Sequence, residues 1–223
     1  MPRKPLTEEE KALVRRKACR AARKLLHAEG SAGLTIRAVA AEIGMSAMSL
    51  YTYFENKAAL LDYMRAMAVG ELADIQETIA SETPDAAKRL AALGLAYQQY
   101  AETRPDDFRL AFGGGEGGFG GEAPEALRDQ IARAMAPSRE AVAALVAARK
   151  LKGDAAEIHM AVWSAWHGYA MLAMAGYWPA TQRPDIEGLG LRGELTMTNV
   201  TPKEKEAAGP KAARRRPEAN ASI

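Results

Sequence analysis

Apolar residues recur at every third or fourth position through most of the first 180 residues, which is the spacing of one buried face on a helix. Three helical segments are predicted near the start, over residues 12–28, 36–43 and 47–54. Thr35 and Ser46 stand directly before the second and third segments, where their side chains can cap the first turn. The pattern therefore predicts one long helix followed by two short ones.

Further segments with helical periodicity continue to residue 178, and most of their ends are marked by a cap, a proline or a glycine. They are predicted over residues 57–79, 84–104, 105–112, 124–151 and 155–178, with a break or kink at Pro137. The seven-glycine stretch 113–121 is expected to be a mobile loop, and the tail from Lys203 is expected to be disordered. Aromatic residues make up only 6% of the chain, and helix-forming residues dominate. The predicted fold class is all-α.

The charge of this 223-residue chain is nearly balanced in total but unevenly distributed. Residues 1–60 carry 11 basic and 6 acidic side chains, a net charge of +5. Residues 61–199 carry 13 basic and 19 acidic side chains, a net of −6, and residues 200–223 carry 6 and 3. A basic head on an acidic body indicates that the N-terminal end binds a polyanion and that the body has a different role.

The compartment follows from the single cysteine and the polar start of the chain. Cys19 has no second cysteine to pair with, so an oxidising compartment is not indicated. Residues 1–10 lack the apolar stretch of a signal peptide, and a cytoplasmic location is expected. Residues 160–180 carry no charged side chain and are long enough for a membrane span, but polar residues and glycines lower their hydropathy. A buried core and dimer helix is favoured there, and no membrane partner is expected.

Residues 35–57 hold the most informative pattern. Each short helix has one apolar face, formed by Ile36, Val39, Ala40 and Ile43 on the first and by Ala47, Leu50, Tyr51 and Phe54 on the second. Gly44 lies in the tight turn between them, as in a helix-turn-helix. Burial of both faces would leave an outward surface without an acidic group, made of Ser46, Met48, Ser49, Thr52 and Tyr53.

Such a surface can enter a DNA groove. Hydroxyl groups bond to base edges or phosphates, and Met48 can contact a thymine methyl group. Arg37 and Lys57 lie beside this surface, and Arg3 and Lys4 precede it on an N-terminal arm. A solvated helix face is favoured over direct DNA contact for six other basic residues, Arg15, Arg16, Lys17, Arg20, Arg23 and Lys24.

This segment resembles the DNA-binding domain of the TetR (tetracycline-repressor-like) family of bacterial transcriptional regulators. The matching residues at fixed spacing are Gly30, Thr35, Ile36, Val39, Ala40, Gly44, Met45, Ser46, Leu50, Tyr51, Tyr53, Phe54, Asn56, Lys57, Leu60 and Leu61. The resemblance implies that Thr35, Tyr53 and Lys57 bind phosphates. It also implies that the residues nearest the bases are Ser46, Ala47, Met48, Ser49 and Thr52. Met48 replaces the family's usual small residue or proline, so no base preference is implied.

The body carries a second resemblance. Trp163 and the sequence Trp166-His167-Gly168 match the Trp-His-Gly signature of one TetR C-terminal subclass. This implies a helical domain that binds a small effector and dimerises through its last two long helices as a four-helix bundle. The chain then divides into a DNA-binding domain (1–56), an effector-binding and dimerisation domain (57–180), and a loop with a basic tail (181–223).

Aromatic, histidine and methionine side chains of the body could line an effector pocket, namely Tyr97, Phe108, Phe112, Met135, Trp163, Trp166, His167 and Met171. Ordinary core packing is the favoured alternative for each of them. The resemblance implies a homodimer that binds a palindromic operator in double-stranded DNA. A repressor that an unidentified small molecule releases is favoured, and an activator remains open.

Other kinds of site find little support. Gly115, Gly117 and Gly120 match a nucleotide-binding pattern, but no strand precedes them. His159 and His167 are two helical turns apart without further ligands, so no metal is expected, and no cofactor or catalytic group is identified. The alternative function is a small helical enzyme or ligand-binding protein whose helix-turn-helix is only structural. The acid-free surface and the basic head argue against it.

Overall fold

The structure is a computed structural model that describes residues 7–112 and 123–177, and these residues form eight helices and no strand. In chain order the helices are α1 (Glu8–Gly33), α2 (Ile36–Glu42), α3 (Ala47–Tyr51), α4 (Lys57–Glu82), α5 (Ala86–Thr103), α6 (Pro105–Phe112), α7 (Glu125–Ala147) and α8 (Ala155–Met174). The all-α prediction is confirmed. The glycine-rich stretch 113–121 and the tail from Lys203 lie outside the described residues.

Helix α1 is longer than the predicted 12–28 because its start has a cap that the apolar pattern does not include. Thr7 Oγ1 accepts a hydrogen bond from the backbone of Glu10, and the Thr7 backbone N–H donates to the Glu10 carboxylate. This reciprocal pair is a capping box. Near the other end, Gly30 has a φ of 67° and interrupts the helical backbone before Gly33.

Helices α2 and α3 meet at a turn that depends on glycine. Gly44 has a φ of 69°, and the Met45 N–H donates to the Ala40 carbonyl at 2.8 Å, which closes the end of α2. Helix α3 is shorter than the predicted 47–54. The Thr52 hydroxyl donates to the Ser49 carbonyl at 2.7 Å, so it competes for an acceptor that further helical turns would use.

The body helices differ from their predicted bounds at three places. Helix α5 starts after Asp85, whose carboxylate accepts two backbone hydrogen bonds, rather than at Pro84. Helix α7 continues through the buried Pro137 and ends at Ala147. Helix α8 ends at Met174, short of the predicted residue 178, because Gly176 adopts a φ of 77° and reverses the chain. Among the described residues, no helix has both the length and the hydropathy to cross a membrane.

Two main apolar cores stabilise the fold. The head core joins α1, α2, α3 and the start of α4, and consists of Ala18, Cys19, Ala21, Ala22, Leu34, Ile36, Val39, Ala40, Leu50, Phe54, Leu60, Leu61 and Met64. The body core consists of Leu72, Leu90, Leu93, Tyr97, Tyr100, Ala101, Phe108, Ala141, Val142, Leu145, Trp166 and Ala170. A smaller cluster of Ala68, Val69, Ala111 and Leu127 lies along α4. Helix α4 therefore contributes to every core.

Gly94→Ala is expected to destabilise the body. A Cβ atom at this position would lie 2.6 Å from Cε2 of the buried Trp166, so α5 and α8 would have to separate or the indole would have to move. We expect the free energy of unfolding in urea to fall by about 1–3 kcal/mol. The exposed neighbour Leu95 provides a control, and Leu95→Ala should change the free energy of unfolding by about 0.5 kcal/mol. Equal effects of both substitutions would contradict this account.

Candidate nucleic-acid interface and internal cavity

The outer surface of α3 is polar, exposed and free of acidic groups. Met48 is 77% exposed, and the hydroxyl-bearing Ser46, Ser49 and Thr52 are also exposed. Residues 43–54 contain no aspartate or glutamate. Thr35, which caps the neighbouring α2, and Arg37 on that helix were also predicted to contact DNA, and both are exposed. A phosphate or a base edge can therefore approach this surface without meeting a like charge.

The hydroxyl groups of this surface also hold the two short helices in place. Ser46 Oγ accepts a hydrogen bond from the Ser49 backbone at 3.1 Å and lies 2.8 Å from Ser49 Oγ. Thr35 Oγ1 accepts from the backbone of Ala38 at 3.1 Å. Because a hydroxyl oxygen that accepts one bond can still donate its proton, capping and DNA contact are compatible. Local helix geometry therefore fixes where these donors point.

Two tyrosines occupy different positions from those predicted. Tyr51 was expected on the buried face but is 45% exposed, so that expectation is wrong. Tyr53 was expected to face outward but is half-buried and packs against the head core. Tyr53 follows the early end of α3 and so no longer obeys the helical spacing, whereas Tyr51 is the last residue of α3 and lies on the side of the exposed Met48. Tyr51 is the exposed aromatic that sequence reasoning missed, although its spacing of three from Met48 places both on one side of the helix.

Lys57, which was predicted to bind a phosphate, contacts the end of α1. Its Nζ donates to the backbone carbonyl of Ser31 at 2.7 Å and to Ser31 Oγ at 2.9 Å. Like Ala47 and Tyr53, Lys57 is half-buried. The amine thus links α4 to the last turn of α1, and its contact with a phosphate remains a prediction.

One member of the basic cluster on α1 does not lie on a solvated face. Arg23 pairs with Asp107 on α6 through Nε at 2.9 Å and with Glu71 on α4 at 3.4 Å. Glu71 also pairs with Arg104 at the end of α5. Burial raises the pKa of Asp107, and the Arg23 guanidinium opposes that shift. These ion pairs connect the head to the body.

A second contact supports the same junction. His27 Nδ1 of α1 lies 2.7 Å from Oδ2 of Asp106. Asp106 and Asp107 form part of the first turn of α6, where negative charge is favoured by the helix dipole. The short helix α6 therefore presents two carboxylates to α1.

The body contains a cavity of about 30 Å³, which has room for one or two water molecules. Helices α4 to α8 all contribute to its wall, which consists of Val69, Leu72, Gln76, Tyr97, Phe112, Ile131, Ala134, Met135, Ser138, Trp163 and Trp166. Five predicted pocket residues lie in this wall, namely Tyr97, Phe112, Met135, Trp163 and Trp166. Phe108 and His167 pack next to these aromatic rings, whereas Met171 is exposed on the outside of α8.

His167 holds the aromatic side of the cavity together. Its ring stacks on Trp163, with centroids 5.3 Å apart, and on Phe108, with centroids 5.7 Å apart. Its Nδ1 lies 2.9 Å from the Tyr97 hydroxyl, and burial lowers the pKa of the imidazole. A neutral His167 thus positions two rings of the wall, Tyr97 and Trp163.

A buried polar contact joins Ser138 of the wall to His159 behind it. Ser138 Oγ donates to the carbonyl of Met135 at 3.1 Å and lies 2.9 Å from His159 Nε2. Burial lowers the pKa of His159, and the charge of Arg139 acts in the same direction. Because Ser138 is on α7 and His159 is on α8, the pair ties these two helices together.

Comparison with known families supports both halves of this architecture. Residues 19–64 match the family model described as bacterial regulatory proteins, tetR family. Residues 90–189 match the model described as tetracyclin repressor-like, C-terminal domain. The two matches cover more than half of the chain. The chain belongs to the TetR family.

Solved structures share the TetR fold of this chain. A protein of unknown function from a Rhodococcus species is 26% identical, with a TM-score of 0.64, over 79% of this chain and 87% of that one. A TetR/AcrR-family transcriptional regulator from Thermobifida fusca is 20% identical, with a TM-score of 0.57, over 75% and 87%. The TetR-family regulator PfmR from Thermus thermophilus is 21% identical, with a TM-score of 0.57, over 80% and 98%. The search of curated proteins finds no match.

Membership of the TetR family confirms the predicted class of function. The chain is a DNA-binding transcriptional regulator, and TetR proteins act by binding DNA operators and not as enzymes. The alternative of a small helical enzyme is therefore not supported. Members of the family dimerise, respond to small molecules and carry their helix-turn-helix in the segment that residues 19–64 match.

The buried His159 and the half-buried His167 are expected to make stability depend on pH. Burial lowers the pKa of His159 and His167 in the native state, whereas a histidine in the unfolded chain titrates near 6.5. As the pH falls from about 7 to 5, the unfolded state binds protons that the native state does not, so the free energy of unfolding decreases. Urea denaturation across this range measures the loss, and His159→Gln should reduce it. An unchanged pH dependence in His159→Gln would count against this assignment.

Proposed function

We propose that the chain is a repressor that binds a palindromic operator as a homodimer and is released when a small molecule occupies the body cavity. This proposal rests on a structural connection between the cavity and the DNA-binding head. Phe112 in the cavity wall and Asp107 beside Arg23 of the head lie on the same short helix, α6. A ligand that moves the wall would move the carboxylates that hold the head.

The proposed DNA contacts keep their division of roles. Thr35, Tyr53 and Lys57 bind the phosphate backbone, and Arg37 lies beside this surface. The residues at the bases are Ser46, Ala47, Met48, Ser49 and Thr52. The exposure of Met48 and of the three hydroxyl-bearing residues supports this assignment. We add Tyr51 to the contact residues because its ring is exposed on the same side of α3 as Met48. In this proposal the domain 1–56 binds the operator, and the domain 57–180 holds the cavity.

An uncharged surface formed by α8 and the C-terminal end of α7 supports the homodimer. Helix α8 carries no Asp, Glu, Lys or Arg after Glu157, and its exposed stripe consists of Met160, Ser164, Gly168, Met171, Leu172 and Ala175. On α7, Ala143, Ala144, Ala147 and Ala148 are exposed. Small and apolar side chains allow two helices of one copy to pack closely on the same two of another, as a four-helix bundle. Exposed apolar stripes of this kind mark interaction surfaces.

Release follows from the spacing of the two heads. The recognition helices of a dimer must enter successive major grooves about 34–36 Å apart, so a shift of a few ångströms loses one half-site. Ligand entry into this small cavity would displace wall residues such as Phe112 and so disturb the ion pairs of Asp107. For this to shift the population, the ligand must bind the DNA-free arrangement better than the DNA-bound one.

Selection of bound sequences from a random DNA pool, followed by salt-dependent binding assays, tests the DNA-contact assignment. Met48→Ala should keep the melting temperature and non-specific binding, because the side chain is 77% exposed and uncharged. It should change the preference at one or two operator positions by about 1–3 kcal/mol. Lys57→Ala should weaken binding to all DNA and lower the salt slope by about one unit for each half-site.

Stability measurements separate the two variants further. Lys57→Ala should also lower the melting temperature, because its bonds to Ser31 are lost. If Met48→Ala melts the head and leaves the base preference intact, the outward surface is wrongly assigned. If no sequence is enriched from the pool, the proposed function fails.

Leu172→Arg is expected to disrupt the homodimer, because a charge would enter the uncharged stripe of α8. Light scattering should give twice the 24.0 kDa chain mass for the native protein and the single-chain mass for the variant. Leu95→Arg, an equally exposed leucine on α5, should remain dimeric. A native protein of 24.0 kDa, or a dimeric Leu172→Arg variant, would contradict the proposed interface.

A further inference from the structure

The wall of the body cavity contains no charged residue. Its eleven residues are apolar or aromatic except for Gln76 and Ser138, and four of them carry rings, namely Tyr97, Phe112, Trp163 and Trp166. A charged ligand would lose its hydration here without gaining an ion pair. The faces of the rings would offset only part of that loss for a cation and none of it for a carboxylate. The wall therefore favours a neutral, flat molecule.

Both hydroxyl groups of the wall already have partners. Ser138 Oγ bonds to Met135 and His159, and the Tyr97 hydroxyl bonds to His167.

Gln76 is different, because only one end of its amide is used. It is 2% exposed, and its Nε2 donates to the Leu93 carbonyl at 3.2 Å. That bond orients the amide and leaves Oε1 as an acceptor to which no described residue donates. A buried acceptor in this state is matched by a ligand that brings a hydroxyl or N–H group.

The cavity is too small for a ligand unless a side chain moves. Its volume of about 30 Å³ compares with about 300–1,000 Å³ for small-molecule pockets. The rings are held in place, since His167 bonds to Tyr97 and stacks on Trp163, and Trp166 fits against Gly94. Met135 is half-buried, unbranched and flexible, so it is the wall residue that can give way most easily.

We propose that the ligand of this cavity is an uncharged aromatic molecule with a hydroxyl or N–H donor, which displaces Met135 and donates to Oε1 of Gln76. Its role as the releasing effector rests on the proposed function. Its binding chemistry does not, because the cavity lies in the body and needs no DNA.

Titration calorimetry of the full chain near pH 7 tests the ligand class with four probes of one ring system. These are β-naphthol, naphthalene, β-naphthoate and trimethyl-β-naphthylammonium. We expect β-naphthol to bind about tenfold more tightly than naphthalene, because it alone supplies the donor. The carboxylate and the ammonium ion should bind at least about tenfold more weakly than β-naphthol, because neither finds an ion-pair partner in the wall.

Two wall variants and one control assign the contacts. Gln76→Met should abolish the preference for β-naphthol over naphthalene. Gln98→Met replaces another buried glutamine, which lies on α5 outside the wall, and should keep the preference. Met135→Ala should bind both probes several-fold more tightly, because the displaced side chain is gone. If Gln76→Met does not fold, the ranking of the four probes on the native chain and on Met135→Ala decides the matter.

Several results would overturn the inference. They are equal or tighter binding of either charged probe, a preference that survives Gln76→Met, or no binding of any probe to Met135→Ala. Binding of selected DNA is measured on the same preparation. If the four probes rank as expected but no DNA is bound, only the proposed function is contradicted. If DNA is bound but the probes rank differently, only this inference is contradicted.

Discussion

Helix α4 is the element on which the rest of the structure depends, because its 26 residues are packed into both ends of the molecule. Leu60 and Met64 lie in the head core, and Leu72 lies in the body core. A continuous helix of this length spans about 39 Å and does not shorten, so a displacement of one end must move the other. Val69, Leu72 and Gln76 of the same helix form part of the cavity wall. The head and the cavity thus share one rigid element.

The ion pairs of Arg23 add a second link between head and body. Arg23 and Asp107 are each mostly shielded from solvent, and Glu71 of α4 lies between Arg23 and Arg104. Partly buried charges of this kind are costly to separate, because removal of one partner leaves the other without compensation. The ion pairs of Arg23 therefore oppose small movements of α6 and break when the movement is large. This property suits a regulator in which an event in the body must alter the position of the head.

Features that depend on nearby residues were predictable from the sequence, whereas features that depend on packing between distant residues were not. The caps Thr35 and Ser46 and the turn at Gly44 act within a few residues, so the sequence pattern located the helix-turn-helix correctly. Tyr53 was misplaced because α3 ends at Tyr51, so the helical spacing does not extend to it. Tyr51 was misplaced because it lies on the side of the exposed Met48. The role of Arg23 was not predictable, since its partner Asp107 is distant in sequence and becomes adjacent only when α6 packs on α1. For the cavity, the sequence indicated the aromatic residues but not Gln76. The acceptor that Gln76 offers depends on a hydrogen bond from its Nε2 to the Leu93 carbonyl, which only the folded structure shows.

The coupling of body to head through Arg23 is the central claim, and the distance between the two heads tests it most directly. A spin label at Ala41→Cys would report that distance by pulsed electron resonance, because Ala41 is exposed and the only native cysteine, Cys19, is buried with its pKa raised to about 12. The account predicts that β-naphthol shifts the label-to-label distance by several ångströms in the native dimer and shifts it much less in Arg23→Met. The same shift in both proteins, or no shift in either, would contradict it.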